Sequence, residues 1–312
     1  MPTYPLSSLT AIFLGRMISE KTIRSTVVEL LRLASFKLPF DVKEALTKAF
    51  DNENETVPKM QLKAILDNIA LAEAKSTPIC QDTGIPLFYV TMGDVETNDV
   101  KASIREGVVE ATKSVPLRPN AVHPLTRKNP GNNIGENMPF VHCQFTKKNF
   151  IEITVMPKGA GSENMNALAM LTPYQGIKGI KEFILNAVVT AGGKPCPPTI
   201  LGIGIGGSSD IAMELSKEAL LRPLGSRSRD SEIAKLEREL FEAVNELGIG
   251  PMGLGGKTTV LDVNIEYAYC HTASLPVALS FQCWAARRAT ARIYRDGHVE
   301  YMSDVRGSSS ND

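Results

Sequence analysis

Segments of helical hydrophobic period alternate along this chain with short strand-like runs, and that alternation narrows the available folds more than any other feature. Apolar residues recur at helical spacing over 17–36 (Ile23, Val27, Leu30, Leu31), and Pro39 closes the segment. Residues 41–50 and 58–74 read as two more helices; a polar turn over 76–84 then leads into a strand at 85–92 and a helix at 100–113. Further strands are expected at 140–145, 150–156, 199–205, 260–268 and 277–283, with a last one over 290–301 that folds back at Asp296-Gly297. Ser162 reads as the N-cap of a helix, Gly192-Gly193 as the stop of another over 177–190, and two more helices run from Asp210 and up to Leu247. The pattern predicts an α/β fold, a single mixed domain over 17–306 with a central sheet surrounded by helices. Residues 1–16 are expected to form a flexible extension, with Met17 as an alternative start, and 307–312 a flexible tail.

Two stretches resist regular structure. Residues 116–139 form a long proline-rich segment, and loops of that length inside a domain are commonly functional. Residues 248–256 contain five glycines, so the backbone there must turn tightly or approach something closely.

The charge balance limits the partners. With 34 basic and 34 acidic residues the chain carries no excess field to attract polyanions, which argues against nucleic acid as its main ligand. The longest apolar stretches, such as 184–191, fall well short of the ~18 residues that a spanning helix needs. The first residues lack the basic start and small-residue cleavage site of an export signal. The chain is therefore expected in the cytoplasm, away from membranes.

Cys80, Cys143, Cys196, Cys270 and Cys283 form an odd, dispersed set with no C-x-x-C pair. Taken singly, each reads as a small buried hydrophobe rather than part of a disulfide framework. His271 follows a strand and Asp82 lies in a turn. Such a pair could act as acid and base, since the ordinary histidine pKa of ~6.5 lies near working pH, but spacing alone does not bring them together. Gly202, Gly204 and Gly207 formally match a dinucleotide fingerprint between a strand and a helix. No acidic strand end follows ~20 residues on, where a ribose contact belongs. An NAD(P)-binding oxidoreductase stays as an alternative on that motif.

The order of the motifs carries more than any one of them. Pro78-Ile79-Cys80-Gln81-Asp82-Thr83-Gly84 is followed by Lys158-Gly159-Ala160-Gly161-Ser162-Glu163-Asn164, and then by Cys196-Pro197-Pro198. Gly255-Gly256-Lys257, His271-Thr272-Ala273-Ser274 and Cys283 complete the series. This set resembles the iron–sulfur (class I) fumarate hydratase and L-tartrate dehydratase family, specifically the α subunit of its two-subunit members, over about 17–301.

The resemblance implies a reversible hydration of fumarate to (S)-malate, or alternatively the dehydration of L(+)-tartrate to oxaloacetate. It implies that Cys80, Cys196 and Cys283 hold a [4Fe-4S] cluster in which one iron lacks a protein ligand and can act as a Lewis acid. Asp82 and His271 match the catalytic pair. Gln81, Arg118, Gly159, Ala160, Gly161, Asn164 and Lys257 match substrate-binding positions, with Ala160 standing where the family pattern has glycine. Single-chain members carry a further domain, so a separate β subunit is expected to complete the active site in a hetero-oligomer. A non-catalytic scaffold is the remaining reading, under which Asp82→Asn and His271→Ala would leave a partner's activity unchanged.

Overall fold

The computed structural model describes residues 17–302; the expected extension at 1–16 and tail at 307–312 lie outside them. The chain begins with β1 (Met17–Ile18) and α1 (Glu20–Phe36), then runs through α2 (Phe40–Asn52) and α3 (Thr56–Lys75). Next come β2 (Ile85–Met92), β3 (Glu96–Thr97), α4 (Val100–Ser114), β4 (Phe140–Phe145) and β5 (Phe150–Lys158). The short α5 (Ala160–Glu163) precedes β6 (Ala167–Leu171), α6 (Gly176–Ala191), β7 (Thr199–Ile205), α7 (Ser209–Ala219) and α8 (Ser231–Glu246). Then follow β8 (Val260–Tyr267), β9 (Leu275–Gln282), β10 (Ala289–Tyr294) and β11 (Val299–Tyr301).

The α/β class is as the residue pattern predicts. The strands do not join one central sheet, however. The described residues cluster into two compact units, the first comprising 17–37, 76–157 and 287–302, the second 38–75 and 158–286. The main sheets run β11-β10-β5-β2-β4 and β6-β9-β7-β8. Hydrophobic period marks where a strand lies but not which strand it pairs with, so this division could not be read from the chain.

In the first unit, α1 starts at Ser19, whose hydroxyl accepts the Thr22 N–H at 3.1 Å. Its apolar stripe, Ile23, Val27, Leu30 and Leu31, is buried against α4 and β10. α4 lies close because Gly107 faces Val27: a Cβ there would stand 2.7 Å from the Val27 Cβ. Phe88, Ile151, Ile153, Ala291 and Ile293 supply the sheet's share of that core.

In the second unit, β7 pairs parallel with β8 and antiparallel with β9. Its core joins Leu201, Ile203, Val263, Leu279 and Phe281 to Ile184 and Val188 of α6 and Leu240 and Val244 of α8. α7 packs directly onto β7. A Cβ at Gly202 would lie 2.0 Å from Ser216 O, and one at Gly204 1.9 Å from Ala212 O. Those glycines of the dinucleotide-like motif therefore serve helix-on-strand contact.

One local expectation fails. Ser162 does not open a long helix; Gly159 is the N-cap of α5, a single turn, and β6 follows. The Ser162 hydroxyl is engaged elsewhere, donating to Gly159 O at 3.3 Å and accepting from Lys158 Nζ at 3.1 Å.

Candidate active site

The predicted residues divide between the units. Cys80, Gln81, Asp82 and Arg118 belong to the first; Gly159, Ala160, Gly161, Asn164, Cys196, Lys257, His271 and Cys283 belong to the second.

In the first unit, Ile79 N–H donates to Ser35 O at 3.0 Å, which seats the Cys80 segment on the last turn of α1. The chain turns immediately after. Asp82 Oδ1 accepts the Gly84 N–H at 3.0 Å and Asn120 Nδ2–H at 3.1 Å, and Gly84 takes a φ of +80° that suits glycine. The proline-rich stretch folds back onto this turn. Arg118 N–H donates to Thr83 Oγ1 at 3.0 Å, and the buried Asn133 donates from Nδ2 to Arg118 O at 3.2 Å. The Arg118 backbone is thus held on both sides while Gln81 and Arg118 remain exposed. Arg287, unforeseen in the sequence, is 2% exposed and donates from Nη2 to Asp82 O at 2.9 Å.

In the second unit, the register sets Ile200 of β7 opposite Gln282 of β9. The turn before β7 and the residues after β9 therefore share one end of the sheet. Trp284 N–H donates to Cys196 O at 3.1 Å and joins the Cys196 and Cys283 segments. Cys196 has a φ of +56°, a conformation that costs a non-glycine residue about 1–3 kcal/mol and must be held by its surroundings. The glycine-dense segment supplies part of that hold. Met252 N–H donates to Pro197 O at 2.8 Å, and a Cβ at Gly253 would lie 2.7 Å from the Gly193 Cα. The Gly159–Gly161 turn approaches the same place, since a Cβ at Gly161 would meet Lys194 O at 3.3 Å. Ala160 opens α5 without entering the left-handed region, so its departure from glycine costs no backbone strain.

Lys158 joins these parts. Its buried ammonium donates to Ser162 Oγ and Gln282 Oε1, both at 3.1 Å, and to Phe281 O. Glu163 Oε2 lies 3.6 Å away, with its other oxygen 2.6 Å from Lys217 Nζ. Burial pulls the Lys158 pKa down to about 8, against the opposing attraction of Glu163 and Cys283. The same burial disfavours the Glu163 carboxylate, but Lys158, Lys217 and Asn166 outweigh it and hold its pKa below the usual range. The motif placed Lys158 in line; only the fold buries it.

The remaining predicted residues have local tasks. His271 is exposed, and its Nδ1 accepts the Ala273 N–H at 3.1 Å, which leaves the proton of the neutral ring on Nε2. Asn164 is exposed and ends α5, donating its N–H to Ala160 O at 2.9 Å. Lys257 N–H binds Glu53 Oε2 at 2.8 Å, and its ammonium donates to Asn52 O at 3.0 Å, at the end of α2. Cys143 and Cys270 are not buried hydrophobes: Cys143 lies on the open edge strand β4, and Cys270 lies in the loop beyond β8, donating to Ser274 O at 3.2 Å.

The donor chemistry suits an iron–sulfur group. Cys80, Cys196 and Cys283 are thiols outside any disulfide and partly buried, Cys196 and Cys283 share a sheet end, and Lys158 places positive charge beside Cys283, where a thiolate would carry negative charge. Among the described residues, no three His, Cys, Asp or Glu side chains converge as a preformed metal site. No helix among them is long and apolar enough to cross a membrane.

These features, thiols at a sheet end beside a glycine turn and an exposed histidine, suit the chemistry of a hydro-lyase, the class to which the comparisons with known proteins assign the chain. The family model described as fumarate hydratase (Fumerase) matches residues 24–292, and the chain belongs to that family. A protein of Methanocaldococcus jannaschii, provisionally named L(+)-tartrate dehydratase subunit alpha, is 54% identical over 283 residues, covering 89% of this chain and 99% of its own. The L(+)-tartrate dehydratase subunit alpha of Escherichia coli K12 is 35% identical over 285 residues, covering 90% and 94%. A Geobacillus stearothermophilus protein provisionally named fumarate hydratase class I is 36% identical over 284 residues, covering 88% of this chain but 55% of its own.

Proposed function

We propose that this chain is the α subunit of a two-subunit hydro-lyase that holds a [4Fe-4S] cluster and hydrates fumarate reversibly to (S)-malate. The observation that carries the reading is the gathering of Cys196, Cys283 and the Gly159–Gly161 turn at one sheet end, joined by Lys158. Cys80, Cys196 and Cys283 would hold the cluster, which when bound supplies a Lewis-acidic iron without a protein ligand.

The chain's own residues do the rest. Arg118, with its backbone anchored and its guanidinium exposed, grips a substrate carboxylate through two parallel bonds. Gln81, Asn164 and the backbone of Gly159, Ala160 and Gly161 orient the substrate. His271 holds or delivers a proton at Nε2, and Asp82 stabilises the charged imidazole. Lys257 reaches substrate only by giving up the Asn52 carbonyl. A separate β subunit supplies the remaining groups, so the chain alone loads a cluster but turns over slowly. Five cysteines held as thiols rather than disulfides support a reducing compartment, the cytoplasm. Residues 17–306 form the working domain.

One observation favours a second substrate. The Methanocaldococcus and Escherichia relatives, which match the chain in length, are named for L(+)-tartrate dehydratase, whereas the Geobacillus protein named for fumarate hydratase is covered over only 55% of its own length. Dehydration of L(+)-tartrate to oxaloacetate uses the same carboxylate grip and proton transfer.

Anaerobic iron and sulfide analysis of the chain beside a Cys196→Ala variant tests the cluster. About four irons per chain, lost in the variant, is the expected result, and a chain that stays iron-free after reconstitution overturns the reading. Turnover of fumarate, malate and L(+)-tartrate by the complex with its β subunit then selects the substrate.

A further inference from the structure

Among the described residues, Arg287 is the one buried arginine. Its side chain is among the largest of the fully buried ones, at 2% exposure, yet Nη2 meets only a neutral acceptor, the Asp82 carbonyl oxygen at 2.9 Å. Nε and Nη1 are buried and meet no acceptor among the described residues. A guanidinium stays charged at any working pH, and leaving its donors unmade in the interior is costly. Water could satisfy the two N–H groups but not the charge.

The placement of this orphan charge is informative. The carbonyl it holds belongs to the Cys80-Gln81-Asp82 segment, the same backbone whose other side anchors Arg118 through Thr83. The buried arginine and the exposed one are thus fixed to a single turn. Among the described residues, the buried carboxylates of Glu237 and Asp262 each meet an arginine, Arg222 at 2.7 Å and Arg227 at 2.8 Å. Arg287 has no such match.

We propose that Arg287 is an anion-binding residue, whose Nε–H and Nη1–H donate to an anionic acceptor brought to the Cys80–Asp82 turn by a ligand of the site. The proposal rests on the functional reading above and adds a residue that the family resemblance does not assign. Two sources share the required chemistry, the sulfur of a thiolate-held iron–sulfur cluster and a carboxylate of the substrate.

The test compares wild type with Arg287→Lys and Arg287→Met, each purified anaerobically with its partner subunit and reconstituted with ferrous iron and sulfide. Arg287→Lys keeps the charge but loses the planar fork, and it stays informative should Arg287→Met fail to fold. If the acceptor is cluster sulfur, both variants change the cluster's reduction potential and its electron paramagnetic resonance spectrum, and lose iron faster in air. If it is a substrate carboxylate, iron content and spectrum are unchanged while KM for fumarate or L(+)-tartrate rises tenfold or more and kcat changes less. A wild type that loads iron beside an Arg287→Lys variant unchanged in potential, spectrum and KM overturns this inference alone. A wild type that takes up no iron overturns the functional reading and this inference together.

Discussion

Thr83 and Arg118, 35 residues apart, hold each other by side chain and backbone. The Arg118 N–H donates to Thr83 Oγ1 at 3.0 Å, and the Thr83 hydroxyl donates to Arg118 O at 3.4 Å. The pair fastens the proline-rich stretch to the turn that carries Gln81 and Asp82, so the reach of the Arg118 guanidinium is measured from a fixed point. Thr83→Val preserves shape and removes that fastening, leaving a donor unmet at a cost of about 1–3 kcal/mol. Steady-state kinetics of the complex should show KM rising several-fold with a smaller change in kcat and no loss of iron. An unchanged KM would detach Arg118 from substrate binding.

Lys158→Met removes the ammonium that joins Ser162, Phe281 and Gln282. Several buried acceptors lose their donor together, and thermal melting should report a loss of at least about 1–3 kcal/mol. The pH dependence has a definite sign. The Lys158 pKa is lowered by burial to about 8, so between pH about 8 and ~10.4 the unfolded chain binds more protons than the folded one. Wild type should gain stability relative to Lys158→Met as pH rises through that window. Parallel curves for the two proteins would contradict it.

Glu53 governs the approach of Lys257. Its carboxylate accepts the N–H groups of Asn54, Glu55 and Lys257 at 2.9, 3.0 and 2.8 Å. Burial disfavours the charge, but these donors outweigh it and hold the pKa below the usual carboxylate range. The stabilisation is therefore complete above the ordinary value of ~4.3 and is lost as pH falls through the lower, folded value. Glu53→Gln should cost about 1.5–3 kcal/mol at neutral pH by denaturant titration, and the gap from wild type should shrink in acid.

Gly204→Ala tests the contact of α7 with β7. The added methyl would stand 1.9 Å from Ala212 O, backbone that cannot yield without shifting the helix. A loss of about 1–3 kcal/mol in chemical denaturation is expected. The NAD(P) reading of the motif predicts instead a weakened nucleotide affinity, which calorimetry with NAD(P) would detect.

Much of the candidate site is legible in the residue order. Cys80, Asp82, Cys196, His271 and Cys283 are candidates because their motifs stand in a specific order. Lys158 lay inside one of those motifs, yet its burial depends on β9 arriving beside it, 123 residues later. Arg287 belongs to none of those motifs, and a lone arginine in a sequence gives no sign that two of its nitrogens will be buried without an acceptor.

The residue order alone determined the mixed α/β class, the positions of most helices and strands, and the family, since hydrophobic period and motif spacing are local properties. Tertiary structure alone decided that the strands form two main sheets in two units, because partner choice depends on contacts between distant segments. It also decided that Gly202 and Gly204 serve a helix, that the five-glycine stretch closes on the Cys196 turn, and that Cys143 and Cys270 are exposed. Each of these follows from which backbone comes within a few ångströms of which, and chain order does not encode that distance.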